Sequence, residues 1–510
     1  MANSFIHYTK SNNSKYGYLY TPRRDSNGNK VNDPVYIGKV IDEANNLYKN
    51  KERGVFKYTI ENGYESADYT EINVVEENLI LDFGDVFVFD EVFKKSQFYE
   101  IVKSILPNEA DTLLALMYYK ILGNNANVHA EEWWNGSYAR ILFPNAKLES
   151  QRISEFLARL GDEKIQREFF KRYLQFFPDE KGDGVLIDSM GLANKIDTYL
   201  TAVNNHCGNI SNEMRLILIL DRKTRMPLFF RYIQGNIVDV STLTGTIEEL
   251  KQFGVSICFA IMDAGYFSEQ NITPLLESGI SFVMRMKSNL NTYKAILHKN
   301  AENFETAENA VIFNNRLLYV KKVQTELYGH TVNAYVCMDY DRRYKEKYEY
   351  MLTAKEEDKT DAEIDEELKG KGMFVIITPE DVTKDEILPL YYTRQEIEQY
   401  FDVGNNLAGL TPIRVHKEEG IRGHLMLVFL VSIVLVTIEY LLSGESKKNS
   451  RKGSKSKAKK KYNKKDCMVN FRNLKCKVYD EVVLVKETTR KMNEIAKILG
   501  VDIPTKIILQ

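Results

Sequence analysis

Apolar and polar positions change their spacing several times along the chain, and each change marks an element or a boundary. In residues 1–95 they alternate as in β-strands: YGYLYTPR, VYIGKVI and NLILDFGDVFVFD surround a turn-rich DSNGNKVNDP. In residues 96–180 the spacing lengthens to about 3.6 residues in TLLALMYYKIL and ESQRISEFLARL, which predicts helices. Pro178 and the EKGDG run close that region. From residue 184 short apolar runs and helical stretches follow one another. GVLIDSMG is a strand, RLILILDRKTRMPLFFRYIQG two strands around a turn, and STLTGTIEELKQFG a helix. ICFAIMDAGY is a strand, SEQNITPLLESG a helix and SFVMRMK a strand, so the order β-β-β-α-β-α-β predicts a mixed α/β sheet.

Residues 290–386 carry further strands (RLLYVKKVQTEL, TVNAYVCMDY, GMFVIIT) and one charged helix, KEEDKTDAEIDEELK. EILPLYYTRQEIEQYFDVGNN then has the pattern of one helix, and VKETTRKMNEIAKILG predicts a helix near the end. The expected organisation is a β-rich region at 1–95 and a helical region at 96–180. An α/β core follows at 181–289, interrupted by a β-rich stretch at 290–386 and resumed at 387–445. A basic linker at 446–466 and a helical tail at 467–510 end the chain. No internal repeat is visible.

The run LMLVFLVSIVLVTI, residues 425–438, holds fourteen residues without a charge before Glu439. A spanning helix needs about twenty apolar residues, so a buried helix is expected here and no membrane partner. The five cysteines are scattered, with no CxxC pair, which argues against a zinc site or a disulfide framework and suits a reducing cytoplasm. The start, MANSFIHYTK, lacks the apolar stretch of a signal peptide.

The formal net charge of −2 argues against a small, uniformly basic nucleic-acid binder. That total is a sum of unlike parts. Residues 447–465 carry eleven basic side chains and no acidic one, leaving −13 on the other 491 residues.

Three carboxylates are candidates for chemistry. Asp188 follows the apolar VLI and Asp263 follows FAIM, each where a central strand is expected to meet a loop. Alone, each fits a turn former or helix cap as well. Tyr391, Arg394 and Glu398 are three and four residues apart, which puts them on one face of the predicted helix. A solvated Arg394–Glu398 ion pair is the bland alternative. Together, the three acids form a set of hard oxygen ligands suited to Mg²⁺ or Mn²⁺. Two such ions about 4 Å apart can serve the attacking and leaving oxygens of a phosphodiester. The seven histidines show no constellation.

Across residues 180–440 the chain resembles the DDE transposases of bacterial insertion sequences, a group with an RNase H-like core. LIDSMG with Asp188 is similar to the family's first-aspartate segment, and IMDAGYFS, with Asp263, Gly265, Tyr266 and Ser268, to the second. Between them, the RLILILDRKTRMPLFFRYIQG hairpin leads to a Gly-Asn-x-x-Asp segment of Gly235, Asn236 and Asp239. YYTRQEIEQYF resembles the Y-x2-R-x3-E signature through Tyr391, Arg394 and Glu398. The 135 residues from Asp263 to Glu398 are similar to members with a β-rich insertion.

The resemblance implies an RNase H-like mixed sheet with a β-rich inserted domain, preceded by N-terminal β and helical DNA-binding regions. It implies a DNA transposase that cuts element ends and transfers strands, with two Mg²⁺ or Mn²⁺ per site on Asp188, Asp263 and Glu398. Its implied partners are double-stranded DNA (terminal inverted repeats and target) and a second copy, as a homodimer in the synaptic complex. The implied setting is bacterial cytoplasm, on DNA. A lysine in the family signature, after six residues beyond the glutamate, is replaced here by Asn405, which can hydrogen-bond a phosphate but adds no charge. An inactivated transposase that only binds DNA, or a nuclease of the same fold, are the alternatives.

For DNA contact, Arg394 is the leading phosphate ligand because a guanidinium binds phosphate bidentately. Tyr391 and Asn405 stand beside it in the signature. Arg285 and Lys287 alternate after Asp263 and could face the groove, and Lys459, Lys460 and Lys461 stand in the basic block. KIQREFFKRY, residues 164–173, is either a DNA-reading helix or a partly buried amphipathic one. Trp133 and Trp134 precede the core and are expected to pack.

Overall fold

The computed structural model describes the chain except residues 1–3, 12–13, 68–78, 124–125, 178–183, 194–197, 207–208, 237–241, 256, 301–303, 355–359, 399, 402–409, 411–414, 416, 444–461, 480 and 510. The chain divides into two compact units, Met1–Asn78 and Leu79–Gln510.

The first unit is an antiparallel meander of six strands in sequence order: β1 (Phe5–Ser11), β2 (Ser14–Arg24), β3 (Lys30–Asp42), β4 (Leu47–Asn50), β5 (Gly54–Thr59) and β6 (Gly63–Ser66). Strand alternation puts Ile37, Tyr48, Phe56 and Tyr58 on one face, where they form a small core with Ile6, Tyr8, Leu19 and Val40.

The second unit begins with β7 (Leu79–Asp82), and the alternation expected to continue through FGDVFVFD stops there. That segment is instead a helix, Gly84–Lys94, with Val86, Val88, Phe89, Val92 and Phe93 all buried. A helix buried on nearly all sides loses its polar face, so its pattern imitates a strand. Gly84 permits the contact: a Cβ there would lie 2.6 Å from Leu474 Cβ and from the Phe471 carbonyl oxygen. Helices follow at Tyr99–Lys103, Ala110–Leu122, Ala130–Gly136, Ala139–Leu142, Ser150–Leu160 and Glu163–Tyr173, as the spacing predicts.

The main sheet contains β8 (Val185–Ala193), β9 (Ala202–His206), β10 (Asn209–Asp221), β11 (Pro227–Gln234), β12 (Phe259–Met262), β13 (Ser281–Arg285), β14 (Ala310–Phe313), β15 (Arg316–Leu327), β16 (His330–Asp339) and β17 (Met373–Thr378). Its order is β11-β10-β8-β12-β13-β17-β16-β15-β14, with β9 against β10. β8, β12 and β13 run parallel, and the outer pairs are antiparallel, so the mixed α/β class expected from the sequence is the observed one. The strands of the 290–386 stretch continue this same sheet through the β13–β17 pair.

The helix Glu418–Ser443 carries the long apolar run. It is apolar and long enough to cross a membrane, yet its residues from Leu425 to Leu435 are all buried within the unit. It packs on the helix Ser150–Leu160 with backbones almost touching. A Cβ on Gly161 would sit 1.9 Å from the Glu419 carbonyl oxygen, and one on Gly423 would sit 1.8 Å from that of Leu157. The helix Glu163–Tyr173 takes the buried form: Phe169, Phe170 and Tyr173 turn inward and meet Phe429 edge-on.

The tail is richer than the helix expected. It forms helices Lys464–Arg472 and Arg490–Leu499 and strands β18 (Lys475–Tyr479), β19 (Val482–Val485) and β20 (Lys506–Ile508). These strands pair with β7 in the order β20-β19-β18-β7, closing the unit end to end. Runs of three to five residues are too short for a periodicity to show.

Candidate active site

Asp188 stands within β8, directly opposite Leu218 of β10, and not at the strand's end as its sequence context suggests. The other neighbour, β12, stops first. Its pairing with β8 ends at Met262 opposite Ile187, so Asp263 leaves the sheet beside Asp188. The parallel register thus supplies the juxtaposition: two carboxylates on adjacent strands at the same level.

The turn after β12 is built by other residues. Ala264–Tyr266 form a single tight turn and Tyr266 is buried. Ser268 caps the helix Glu269–Glu277 by accepting from the Asn271 backbone N–H at 3.2 Å. The Asn271 side chain donates to the Tyr266 carbonyl at 2.8 Å. Capping is therefore done by Ser268, and the Asp263 carboxylate points to the site instead.

The third carboxylate arrives on a broken helix. Lys384–Tyr392 is helical and 395–398 is helical again, but Thr393 and Arg394 form a turn between them. The Thr393 hydroxyl donates to the carbonyls of Pro389 (3.1 Å) and Leu390 (2.7 Å). The backbone continues through three-residue hydrogen bonds, Arg394 N to Tyr391 O and Ile397 N to Arg394 O. A hydroxyl that competes for helix carbonyls accounts for the break in a stretch whose pattern predicts one helix.

Arg394 is the hub. Its Nη1 donates to Asp188 Oδ2 at 2.8 Å, and its Nη2 lies 3.0 Å from Glu398 Oε1 and 3.8 Å from Asp263 Oδ1. The Arg394 side chain is 17% exposed, so this is not the solvated surface pair that a four-residue spacing alone describes. Tyr391 is buried and its hydroxyl donates to Asp263 Oδ1 at 3.5 Å, a long contact.

Burial pushes the Asp188 carboxyl up to about 6. Arg394 and the Ser189 N–H, which donates at 2.9 Å, pull it down, and nearby Asp263 pushes it up again. Burial alone would lower the Arg394 pKa, but Asp263, Asp188, Tyr391 and Glu398 outweigh it and hold the guanidinium charged. Burial raises the Tyr391 phenol, so it stays protonated as a donor.

Sequence reasoning missed a supporting pair. Arg215, buried on β10, donates from Nη2 to Ser189 Oγ at 2.8 Å, fixing the residue whose N–H holds Asp188. An arginine in the apolar run of β10 was its only signal.

Of the other predicted contacts, Arg285 ends β13 with its guanidinium 5.1 Å from the Phe374 ring, near enough to Tyr391 to lower its phenol pKa. Lys287 lies two residues past the strand, so the two do not alternate on one strand. Asn405, Lys459, Lys460, Lys461 and Asp239 lie outside the described residues. Gly235 lets its turn approach β10: a Cβ would meet the Glu213 carbonyl oxygen at 2.0 Å. Trp133 packs on Tyr119 and Trp134 donates to the Phe143 carbonyl.

In donor chemistry the three carboxylates suit a hard divalent ion. As the side chains stand, no group of three His, Cys, Asp or Glu residues among those described has metal-holding spacing. The Arg394 guanidinium contacts all three acids.

A mixed sheet with two acids on adjacent strands and a third on a helix across them defines an α/β protein with an acidic, arginine-bridged site. Residues 182–434 match the family model described as the transposase DDE domain; this part of the chain is a transposase DDE domain, and it supports DNA transposition as the general function. No curated protein matches the chain. Among solved structures, it is similar to a piggyBac transposase synaptic complex with hairpin DNA, determined by cryo-EM. The two are 11% identical with a TM-score of 0.42, over 76% of this chain and 79% of that one.

Proposed function

We propose that the chain is a metal-dependent transposase that cuts DNA at the ends of its element and joins the freed 3′-ends to target DNA. The observation that carries this reading is the meeting of Asp188, Asp263 and Glu398 on one guanidinium, from strands and a helix far apart in sequence. Asp188, Asp263 and Glu398 would hold the divalent ions, Mg²⁺ or Mn²⁺. Bound there, two ions supply activation of water or a 3′-hydroxyl and stabilisation of the departing oxygen.

The chain's own residues do the rest. Ser189 N–H and Arg215 fix the Asp188 carboxylate in place. Tyr391 orients Asp263. Arg394 balances the three acids in the absence of other cations and, once they are otherwise paired, is free to take a phosphate oxygen of the DNA. Arg285, near Tyr391, is a second phosphate ligand. A homodimer that brings two DNA ends together is part of this reading.

The test is incubation of the purified protein with duplex DNA bearing the inverted repeats that flank its gene. The expected result is Mg²⁺-dependent nicking followed by strand-transfer products. Nicking without transfer would favour a nuclease, and binding without nicking would favour an inactive DNA-binding relative.

A further inference from the structure

Glu398 rides on a short helical segment that the break at Thr393 and Arg394 detaches from the helix before it. Its place over the sheet is therefore set by contacts of its own. Arg394 supplies one, 3.0 Å from the Glu398 carboxylate. In the reading above that guanidinium leaves the acids for a DNA phosphate, and the segment then depends on a second tether. Residues two apart on a helix point about 200° apart, so Glu396 faces away from Glu398, and Tyr400, four residues on, shares its side. Ile397 is fully buried, and Tyr400 is buried with its hydroxyl against that of Ser432 on the helix Glu418–Ser443. Behind Glu396 the packing is interrupted by a cleft of about 250 Å³, which Tyr400, Leu435 and Val436 also line. Arg225 lines the same cleft, and its Nε lies 3.6 Å from Glu396 Oε1.

Arg225 belongs to the turn between β10 and β11, and that turn is firmly built. The Asp221 carboxylate accepts from the Thr224 N–H and from its hydroxyl, both at 2.6 Å, and the Arg225 N–H donates to the Asp221 carbonyl at 2.9 Å. The Arg222 N–H donates to the Gly184 carbonyl at 3.1 Å, which ties the turn to the start of β8, the strand of Asp188. The turn holds Arg225 at φ +64°, the left-handed region that favours glycine over any side chain. The backbone has no use for a side chain there, so what Arg225 contributes is its reach to Glu396.

We propose that Arg225 is a positioning residue for Glu398, acting through Glu396. It tethers the helical segment of Glu398 to the sheet that carries Asp188, independently of Arg394. The proposal rests on the DNA-cutting function above and deepens it by naming what holds the third acid while Arg394 is on DNA. The side chains of the pair are 34% and 39% exposed, so the pair adds little to global stability. Its loss shows in the site and not in the fold.

The test uses the full chain and DNA bearing its element ends. Arg225→Gly relieves the turn and removes the tether, and Glu396→Gln removes it from the other side. Each should slow single-turnover cleavage about tenfold at limiting Mg²⁺ and raise the Mg²⁺ concentration for half-maximal rate by a similar factor. The Mn²⁺ affinity of the protein alone, titrated calorimetrically, should fall in parallel. The unfolding temperature of Arg225→Gly should equal or exceed that of wild type, because the turn favours glycine. DNA affinity and its salt dependence should stay those of wild type. The double variant should lose no more than either single one, and Arg225→Lys, which keeps the charge, should recover most of the rate. Losses that multiply in the double variant, or wild-type cleavage in both single ones, would overturn the proposal and leave the function standing. Weaker DNA binding with a flatter salt dependence in Arg225→Gly alone would make Arg225 a phosphate contact and overturn it too. If wild type cuts no DNA, both readings fall.

Discussion

Arg394 is the residue on which the site turns. A buried carboxylate in mid-strand is costly without a partner, and Asp188 has two, the Ser189 N–H and the Arg394 guanidinium. Arg394→Gln removes the one positive charge that, among the described residues, reaches all three acids. We predict that it lowers stability by about 2–4 kcal/mol, as for a broken buried pair. Because the acids are then left to other cations, added Mg²⁺ should raise the unfolding temperature more for this variant than for wild type. Thermal unfolding with and without Mg²⁺ reads both effects, and an equal response of the two proteins would show that the guanidinium does not stand where cations bind.

Asp188 and Asp263 stand out in the sequence because each directly follows an apolar run, and Glu398 through its spacing from Tyr391 and Arg394. Their juxtaposition was not legible, since it depends on β12 ending one residue before the level of Asp188 while β8 runs on. Arg215 was hidden because strand patterning treats a lone arginine as an outward residue.

Elements with one face in solvent show their period, whereas a short helix without a polar face can imitate a strand. The Ser150–Leu160 helix shows its period plainly, whereas Gly84–Lys94 looks like a strand because both its faces are buried. The break at Thr393 is a side-chain hydrogen bond, which hydrophobic spacing cannot register.

Two substitutions test how elements hold the site. Gly423→Ala forces a methyl group against the Leu157 carbonyl and should destabilise the protein by about 1–3 kcal/mol in urea unfolding. An unchanged midpoint would mean the helices are not in backbone contact. Ser268→Ala removes the cap of Glu269–Glu277 and should cost about 1 kcal/mol, whereas Ser268→Asp, which can cap equally, should restore it. Equal stability of the two variants would contradict the capping role.

For the whole molecule, the near-zero net charge conceals a division of labour. The −13 outside residues 447–465 includes the three site acids and eight acidic residues between Glu356 and Glu367, while the basic block carries +11. Deleting residues 447–465 should weaken DNA binding and flatten its salt dependence, leaving Mg²⁺-dependent chemistry on saturating DNA intact. A deletion that abolishes cutting at saturation would place the block in the site. The α/β class and the order of elements in the core followed from alternation of strands and helices. The pairing of the tail with β7 did not, because strands so distant in sequence leave no local mark.

The central claim is that Asp188, Asp263 and Glu398 act as one set. Glu398 tests it most cleanly, because its carboxyl is half exposed and Glu398→Gln keeps its shape. Single-turnover cleavage of element-end DNA with Mg²⁺ should fall at least about 100-fold in Glu398→Gln, with DNA binding unchanged. Cleavage at the wild-type rate would contradict the account.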